Sequence, residues 1–97
     1  MPQLVMWNLE YSGQFKKDLK RMVRRGGDVG LMRTALNFLA EDGQVPQSYN
    51  PHILHGKWDG VWECHISPDW LLLYDINESI SIIRLVRTGT HADMFKK

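Results

Sequence analysis

Ninety-seven residues at 11.3 kDa bound the chain to a single compact domain, 1–97. At 43% hydrophobic with 4 Trp, 3 Tyr and 3 Phe it is too apolar for a disordered tail, and a net charge of +1 excludes a polyanion binder that works through total charge alone. One cysteine, Cys64, excludes an intramolecular disulfide and, beside 4 histidines, a thiolate-rich zinc framework. That cysteine usage suits a reducing cytosol. The N-terminus lacks a secretion signal, and no run approaches the roughly 18 apolar residues of a spanning helix, so a cytoplasmic protein with no membrane partner is expected.

The apolar run Leu4, Val5, Met6, Trp7 and Leu9, closed by Ser12-Gly13, predicts a strand over 3–9 buried on both faces. From Ser12, a suitable N-cap, Phe15, Leu19, Met22 and Val23 fall on one helix face until Gly26-Gly27. Asp28 can cap a second helix whose stripe is Val29, Met32, Ala35, Leu36, Leu39 and Ala40, ending at Asp42-Gly43. Two short-linked helices predict an antiparallel hairpin. After a loop with Pro46 and Pro51 the period becomes two. Val61, Glu63 and His65 alternate with Trp62, Cys64 and Ile66 in a strand over 58–66 that ends at Ser67-Pro68-Asp69. Residues 70–76 read as a buried central strand, Asn77-Glu78 as a turn and 79–88 as another alternating strand, followed by a tail that can make one helical turn. The expectation is an α+β domain in the order β-α-α-β-β-β, a mainly antiparallel sheet with the helix hairpin on one face.

Hairpin-linked strands alternate direction, so the end of 58–66, the start of 70–76 and the end of 79–88 meet at one edge. His65, Asp69, Trp70 and Arg87 gather there, His91 follows in the tail leaving that edge, and His52 lies in the loop entering the sheet. Taken singly, each has an ordinary structural explanation: a satisfied strand histidine, a turn aspartate, an edge charge, a core tryptophan. Their convergence points to acid–base chemistry. His52, His55, His65 and Asp69 match no metal-ligand spacing, so no metal or other cofactor is expected. The alternation sends Cys64 to the face opposite His65, which makes it core rather than a nucleophile. On the first helix Lys16, Lys17, Lys20, Arg21, Arg24 and Arg25 fill the positions outside the apolar stripe, with Asp18 the only acid. Such a face is solvated, tracks phosphates or is covered by an acidic partner.

The segment Trp58-Asp-Gly-Val-Trp-Glu-Cys-His65-Ile-Ser-Pro-Asp-Trp70-Leu-Leu-Leu-Tyr74, followed by Arg87-Thr-Gly-Thr-His91-Ala-Asp-Met-Phe95, resembles the YafQ-type branch of the RelE/ParE superfamily of bacterial toxin-antitoxin toxins. The resemblance covers essentially the whole chain. It implies a RelE-like fold and a toxin that cuts mRNA in the ribosomal A site, is held inactive by a cognate antitoxin, and meets operator DNA only through the antitoxin complex. Residue by residue, it places the active site on His52, His65, Asp69, Arg87, His91 and Phe95, with Trp70 beside them. The chain departs from the family in carrying Trp62 where an Arg is usual, and in its low net charge, which leaves ribosome affinity to Lys16, Lys17, Lys20, Arg21 and Arg24.

Metal-free RNA cleavage needs a base for the 2′-hydroxyl, a cation for the phosphorane and an acid for the leaving 5′-oxygen. His91 is assigned as the acid, Arg87 as the cation, and Asp69 or His52 as the base, with His65 as orienter or second base. Trp70 and Phe95 stack on or buttress the splayed bases. A different class remains open on the same scaffold: a non-enzymatic ParE-like toxin that inhibits DNA gyrase.

Overall fold

The computed structural model describes residues 6–95. An edge strand β1, Asn8–Tyr11, leads into helix α1, Gly13–Arg24, at Ser12. The Ser12 hydroxyl accepts from the Phe15 amide at 2.9 Å and donates to the Val86 carbonyl at 2.8 Å, so one side chain caps the helix and ties it to the sheet. Asp28 caps helix α2, Val29–Asp42, through the Gly30 amide at 2.8 Å. The helix stops at Gly43, which sits at φ 73° and where a Cβ would fall 2.5 Å from the Trp7 indole nitrogen. Among the described residues no helix is long and apolar enough to cross a membrane.

The remaining strands are β2 His52–Ile53, β3 Trp62–Ser67, β4 Trp70–Asn77 and β5 Ile82–Gly89, and a short helix α3, His91–Phe95, follows. They complete a five-stranded sheet in the order β1-β5-β4-β3-β2, antiparallel except for the parallel pairing of β1 with β5. The α+β architecture with both long helices on one face is the one expected, with four differences of detail. The first strand begins at Asn8 and is a largely exposed edge rather than a strand buried on both faces; residues 3–5 of the expected span lie outside the described residues. The strand expected over 58–66 begins only at Trp62, because Gly56 at φ 74° and Gly60 at φ 85° commit the preceding residues to turns. The last strand begins at Ile82, because the turn extends through Ser81, whose φ is 52°. The loop entering the sheet contains β2, which at two residues is too short to show a period.

Alternation along the sheet divides the core. On the helix side Cys64, Ile66, Trp70, Leu72, Tyr74, Ile83 and Leu85 pack against Phe15, Met22, Met32, Ala35 and Leu39. On the other side Leu71, Leu73 and Met94 form a smaller cluster with Leu54, Trp58, Val61 and Val86. Between Leu73 and Tyr74 the pairing with β5 skips Val86, a bulge that bends the strand beside Arg87. Within the buried layer the Trp70 indole donates to Thr88 Oγ1 at 2.8 Å, and the Thr88 hydroxyl donates to the Leu71 carbonyl at 2.6 Å. Thr88→Val keeps the shape but strands the indole N–H in a dry core. We expect a loss of about 1–3 kcal/mol in stability, read from urea unfolding; an unchanged midpoint would show that the relay holds nothing.

Candidate active site

Strand register places the chemistry. His52 pairs with Glu63, Glu63 with Leu73 and Leu73 with Arg87, so four strands contribute to one rung; His65, Leu71 and Gly89 form the next. Paired positions share a face, and the buried Leu71 and Leu73 supply an apolar floor for the polar groups at its rim. Asp69 sits in the tight turn between β3 and β4, and α3 leaves the end of β5, which brings His91 and Phe95 over the same rim. A reciprocal capping box fixes α3: Thr90 N donates to Asp93 Oδ2 at 2.9 Å, and Asp93 N donates to Thr90 Oγ1 at 3.2 Å. Gly89 allows this turn, since a Cβ there would lie 2.8 Å from Asp93 Oδ2.

His91 is the most constrained imidazole. Its Nδ1 lies 2.7 Å from Asp69 Oδ1, which also accepts the His91 amide at 3.1 Å. A carboxylate only accepts, so Nδ1 carries the proton and Nε2 is left for the substrate. The side-chain hydrogen bond from His91 in turn holds the Asp69 carboxyl below the usual carboxylate range. The His91 ring stands 5.9 Å from the His65 ring at 60° and 6.4 Å from the Phe95 ring at 45°. His52 is engaged at both nitrogens: Nδ1 is 2.8 Å from the Asn50 carbonyl and Nε2 is 3.1 Å from Glu63 Oε1. His65 Nε2 lies 3.9 Å from the same carboxylate, and its Nδ1 has no partner among the described residues.

Five of the expected positions, His52, His65, Asp69, Arg87 and His91, thus line one rim, joined by Phe95. Trp70, expected among the RNA-binding residues, is a correction: its side chain is 3% exposed and packs in the helix-side core, so it offers no face to a base. Arg21 is half-buried and bonded to Asp18 at 3.1 Å, whereas Lys16, Lys17, Lys20 and Arg24 are exposed with no ion pair among the described residues. The basic helix is also closer to the site than the strand order suggests, because Asp18 on α1 bonds Arg87 Nε at 2.7 Å. Cys64 is fully buried, and burial pushes its thiol up to about 12, which leaves it inert at neutral pH. His55 is largely exposed, 3.6 Å from Asp59 and outside the rim.

Sequence reasoning passed over two acids here. Glu63 is 5% exposed and faces His52 and His65; its parity with His65 in the alternating strand was the available signal. Asp18 lies three residues after Phe15 and four before Met22, on the buried stripe of α1. Two depressions flank the rim. One of about 380 Å³ is lined by Ser48, Tyr49, Asn50, His65 and Pro68, and one of about 270 Å³ by Leu54, His55, Lys57, Trp58, Met94 and Phe95. A larger cavity of about 600 Å³, lined by Trp7, Gln44, Trp62 and Glu78 among others, lies at the opposite end of the sheet and contains none of these groups.

Residues 7–96 match the family model described as bacterial toxin of type II toxin-antitoxin system, YafQ. The chain is 34% identical over 93 residues to the mRNA interferase toxin YafQ of Escherichia coli strain K12, covering 95% of this chain and 99% of that one. Its fold is similar to a chain of the crystal structure of the E. coli DinJ-YafQ toxin-antitoxin complex, at TM-score 0.83 and 35% identity over 94% of this chain and 99% of the other. It is equally similar to a metal-bound toxin from Helicobacter pylori, at TM-score 0.83 and 37% identity over 93% and 100% of the two chains. Among the described residues of this chain no three His, Cys, Asp or Glu side chains form a group that could hold a metal ion.

Burial raises the Asp93 carboxyl, but hydrogen bonds from Arg25 and Thr90 outweigh it and bring it down to about 2. A depressed carboxylate contributes stability above its unfolded value near 4 and loses it as pH falls toward 2. Asp93→Asn is therefore expected to flatten the stability profile between about pH 4 and pH 2, measured by urea unfolding at each pH. A wild-type slope in the variant would remove Asp93 from the acid transition.

Proposed function

The chain belongs to the YafQ family of type II toxin-antitoxin toxins, and from that premise we propose that it is a ribosome-dependent mRNA endoribonuclease that cuts RNA by acid–base chemistry without a metal. The observation that carries the mechanism is the His65–His91 pair at 5.9 Å above an apolar floor, with Asp69 fixing the His91 tautomer. Of the three candidates for the base, Asp69 is occupied as the orienter of His91, and His52 is held at both nitrogens by Asn50 and Glu63. His65 keeps a nitrogen for the 2′-hydroxyl, with Glu63 behind its ring. His65 takes the 2′-OH proton, the 2′-oxygen attacks phosphorus, and the P–O5′ bond breaks as protonated His91 delivers its Nε2 proton to the leaving oxygen. The upstream product ends in a 2′,3′-cyclic phosphate and the downstream product in a 5′-hydroxyl. Arg87 meets the charge that builds on the non-bridging oxygens. The Phe95 ring, 41% exposed, offers a stacking surface for an unpaired base.

A cognate antitoxin is the protein partner, as DinJ is in the complex with E. coli YafQ. Operator DNA is reached only through that complex, and the toxin acts in the cytoplasm. The test is primer extension on a translated message after induction, with a short RNA in EDTA as the metal-free arm. We expect discrete cuts inside the reading frame, cutting of the short RNA in EDTA, and losses on the order of 10²–10⁴ in rate for His91→Ala and Arg87→Ala. Growth arrest with an uncut message would favour the gyrase-inhibiting class instead, and folded variants that cut at the wild-type rate would overturn the residue roles.

Ribosome approach rests on the outward cations of α1. Replacing Lys16, Lys20 and Arg24 with Gln should weaken ribosome binding and make the remaining affinity fall less steeply with salt, since each phosphate contact adds to the salt slope. The chemical step on the short RNA should be unchanged. An unaltered salt slope would return these residues to an ordinary solvated face.

A further inference from the structure

Between positions 16 and 25, helix α1 and its C-cap Arg25 carry six cations and a single acid, Asp18, and that acid is 0% exposed. A lone carboxylate on a surface helix is best left in water, because burying it forfeits its hydration. Here five donors replace the water. Asp18 Oδ1 accepts from Gln14 Nε2 at 3.0 Å, Arg21 Nη2 at 3.1 Å and Arg87 Nη2 at 3.2 Å. Oδ2 accepts from Arg87 Nε at 2.7 Å and the Thr88 amide at 3.2 Å. Burial raises this carboxyl, and the hydrogen bonds from Arg87, Gln14 and Thr88 outweigh it, so it stays ionised.

The two bonds from Arg87 use one edge of the guanidinium. A single bond would leave the group free to rotate, whereas a fork fixes its plane and its position. The grip extends to the backbone beside it, at Thr88, next to the bulge at Val86. Nη1 is left outside the fork, on a side chain that is 23% exposed. A donor held in place before reaction needs no reorganisation as charge develops, which is the condition for strong electrostatic stabilisation.

We propose that Asp18 is the positioning residue of the reaction: from the helix layer it aims the Arg87 guanidinium at the scissile phosphate without touching RNA. The proposal rests on the assignment of Arg87 to the phosphate, and the experiment separates the two. It is a double-mutant cycle of Asp18→Asn and Arg87→Ala, with Asp18→Glu as a third variant, on single-turnover cleavage in ribosome complexes, with KM from steady state and folding from urea unfolding. Asp18→Asn keeps the shape but turns an acceptor of the fork into a donor. We expect a fall in the rate of cleavage on the order of 10–100-fold with KM within about 2-fold, and no further fall when Asp18→Asn is added to Arg87→Ala. Should Asp18→Asn not fold, Asp18→Glu keeps the charge while displacing the fork, and the same split between rate and KM is expected of it.

Wild-type rates in folded Asp18→Asn, beside an inactive Arg87→Ala, would overturn the positioning role and leave the chemistry intact. Equal falls in both backgrounds would overturn it too, by showing that Asp18 acts through something other than Arg87. Wild-type rates in both single variants would overturn the phosphate assignment itself.

Discussion

The central strand is the constraint from which the rest follows. Trp70 to Tyr74 are all buried, with the odd and even positions packed into separate clusters on the two sides of the sheet. Each such side chain contributes roughly 1.5–3 kcal/mol of burial, so this one run anchors both faces and fixes the register of its neighbours. A strand used in this way has no room for polar chemistry. Leu71 and Leu73 can only be a floor, and the polar groups of the rim have to rise from the strands and turns around them: His52, Glu63 and His65 from one side, Arg87 from the other, Asp69 and His91 at the end. An apolar floor also lowers the local dielectric, which strengthens each charge and hydrogen bond at the rim.

Five charged groups of alternating sign join the layers: Arg87, Asp18, Arg21, Asp93 and Arg25, linked at 2.7, 3.1, 3.9 and 2.8 Å. Their worth is unequal. The Arg25 side chain is 47% exposed, and a pair so placed is largely screened by solvent. The pair of Asp18 and Arg87 is drier and doubly bonded, so geometry there is enforced rather than sampled. The same chain of charges reaches Asp93, the residue that caps α3, so one helix holds both the Arg87 guanidinium and the short helix that carries His91. Removing Asp18 would take the shared acceptor from Arg87 and Arg21, whereas Arg25 without Asp93 would still be met by water.

Much of this was legible from sequence because it depends on local rules. Ser12, Asp28 and Gly43 mark helix ends by their own side-chain or backbone preferences, and period two put His65 and Cys64 on opposite faces. The meeting of His65, Asp69, Arg87 and His91 followed from hairpin connectivity, which needs only the number of strands between them. What was not legible depends on tertiary context. Asp18 lies on the apolar stripe of a helix whose composition marks it as surface, and only the approach of β5 reveals why an acid belongs there. Glu63 is buried by the approach of β2, which no local pattern announces, though its parity with His65 was plain. The two-residue strand at His52 is held by pairing with β3 and has no pattern of its own.

The two departures from the family pattern also have a physical resolution. Trp62 shares its face with Cys64, not with His65, and its ring stacks on Tyr74 with centroids 6.4 Å and planes 14° apart. An aromatic residue there extends the helix-side core and lines the distant cavity with Trp7, so the rim loses no cation through it. Net charge misleads for a related reason. Asp18 and Asp93 are consumed by Arg87, Arg21 and Arg25, while Asp42, Asp75 and Glu78 line the cavity at the far end of the sheet. Lys16, Lys17, Lys20 and Arg24 remain outward on α1 with none of these acids against them. Salt screens exposed charges over about 8 Å at physiological ionic strength, so a phosphate backbone meeting that helix responds to the four cations in front of it and not to a sum of +1 over the chain.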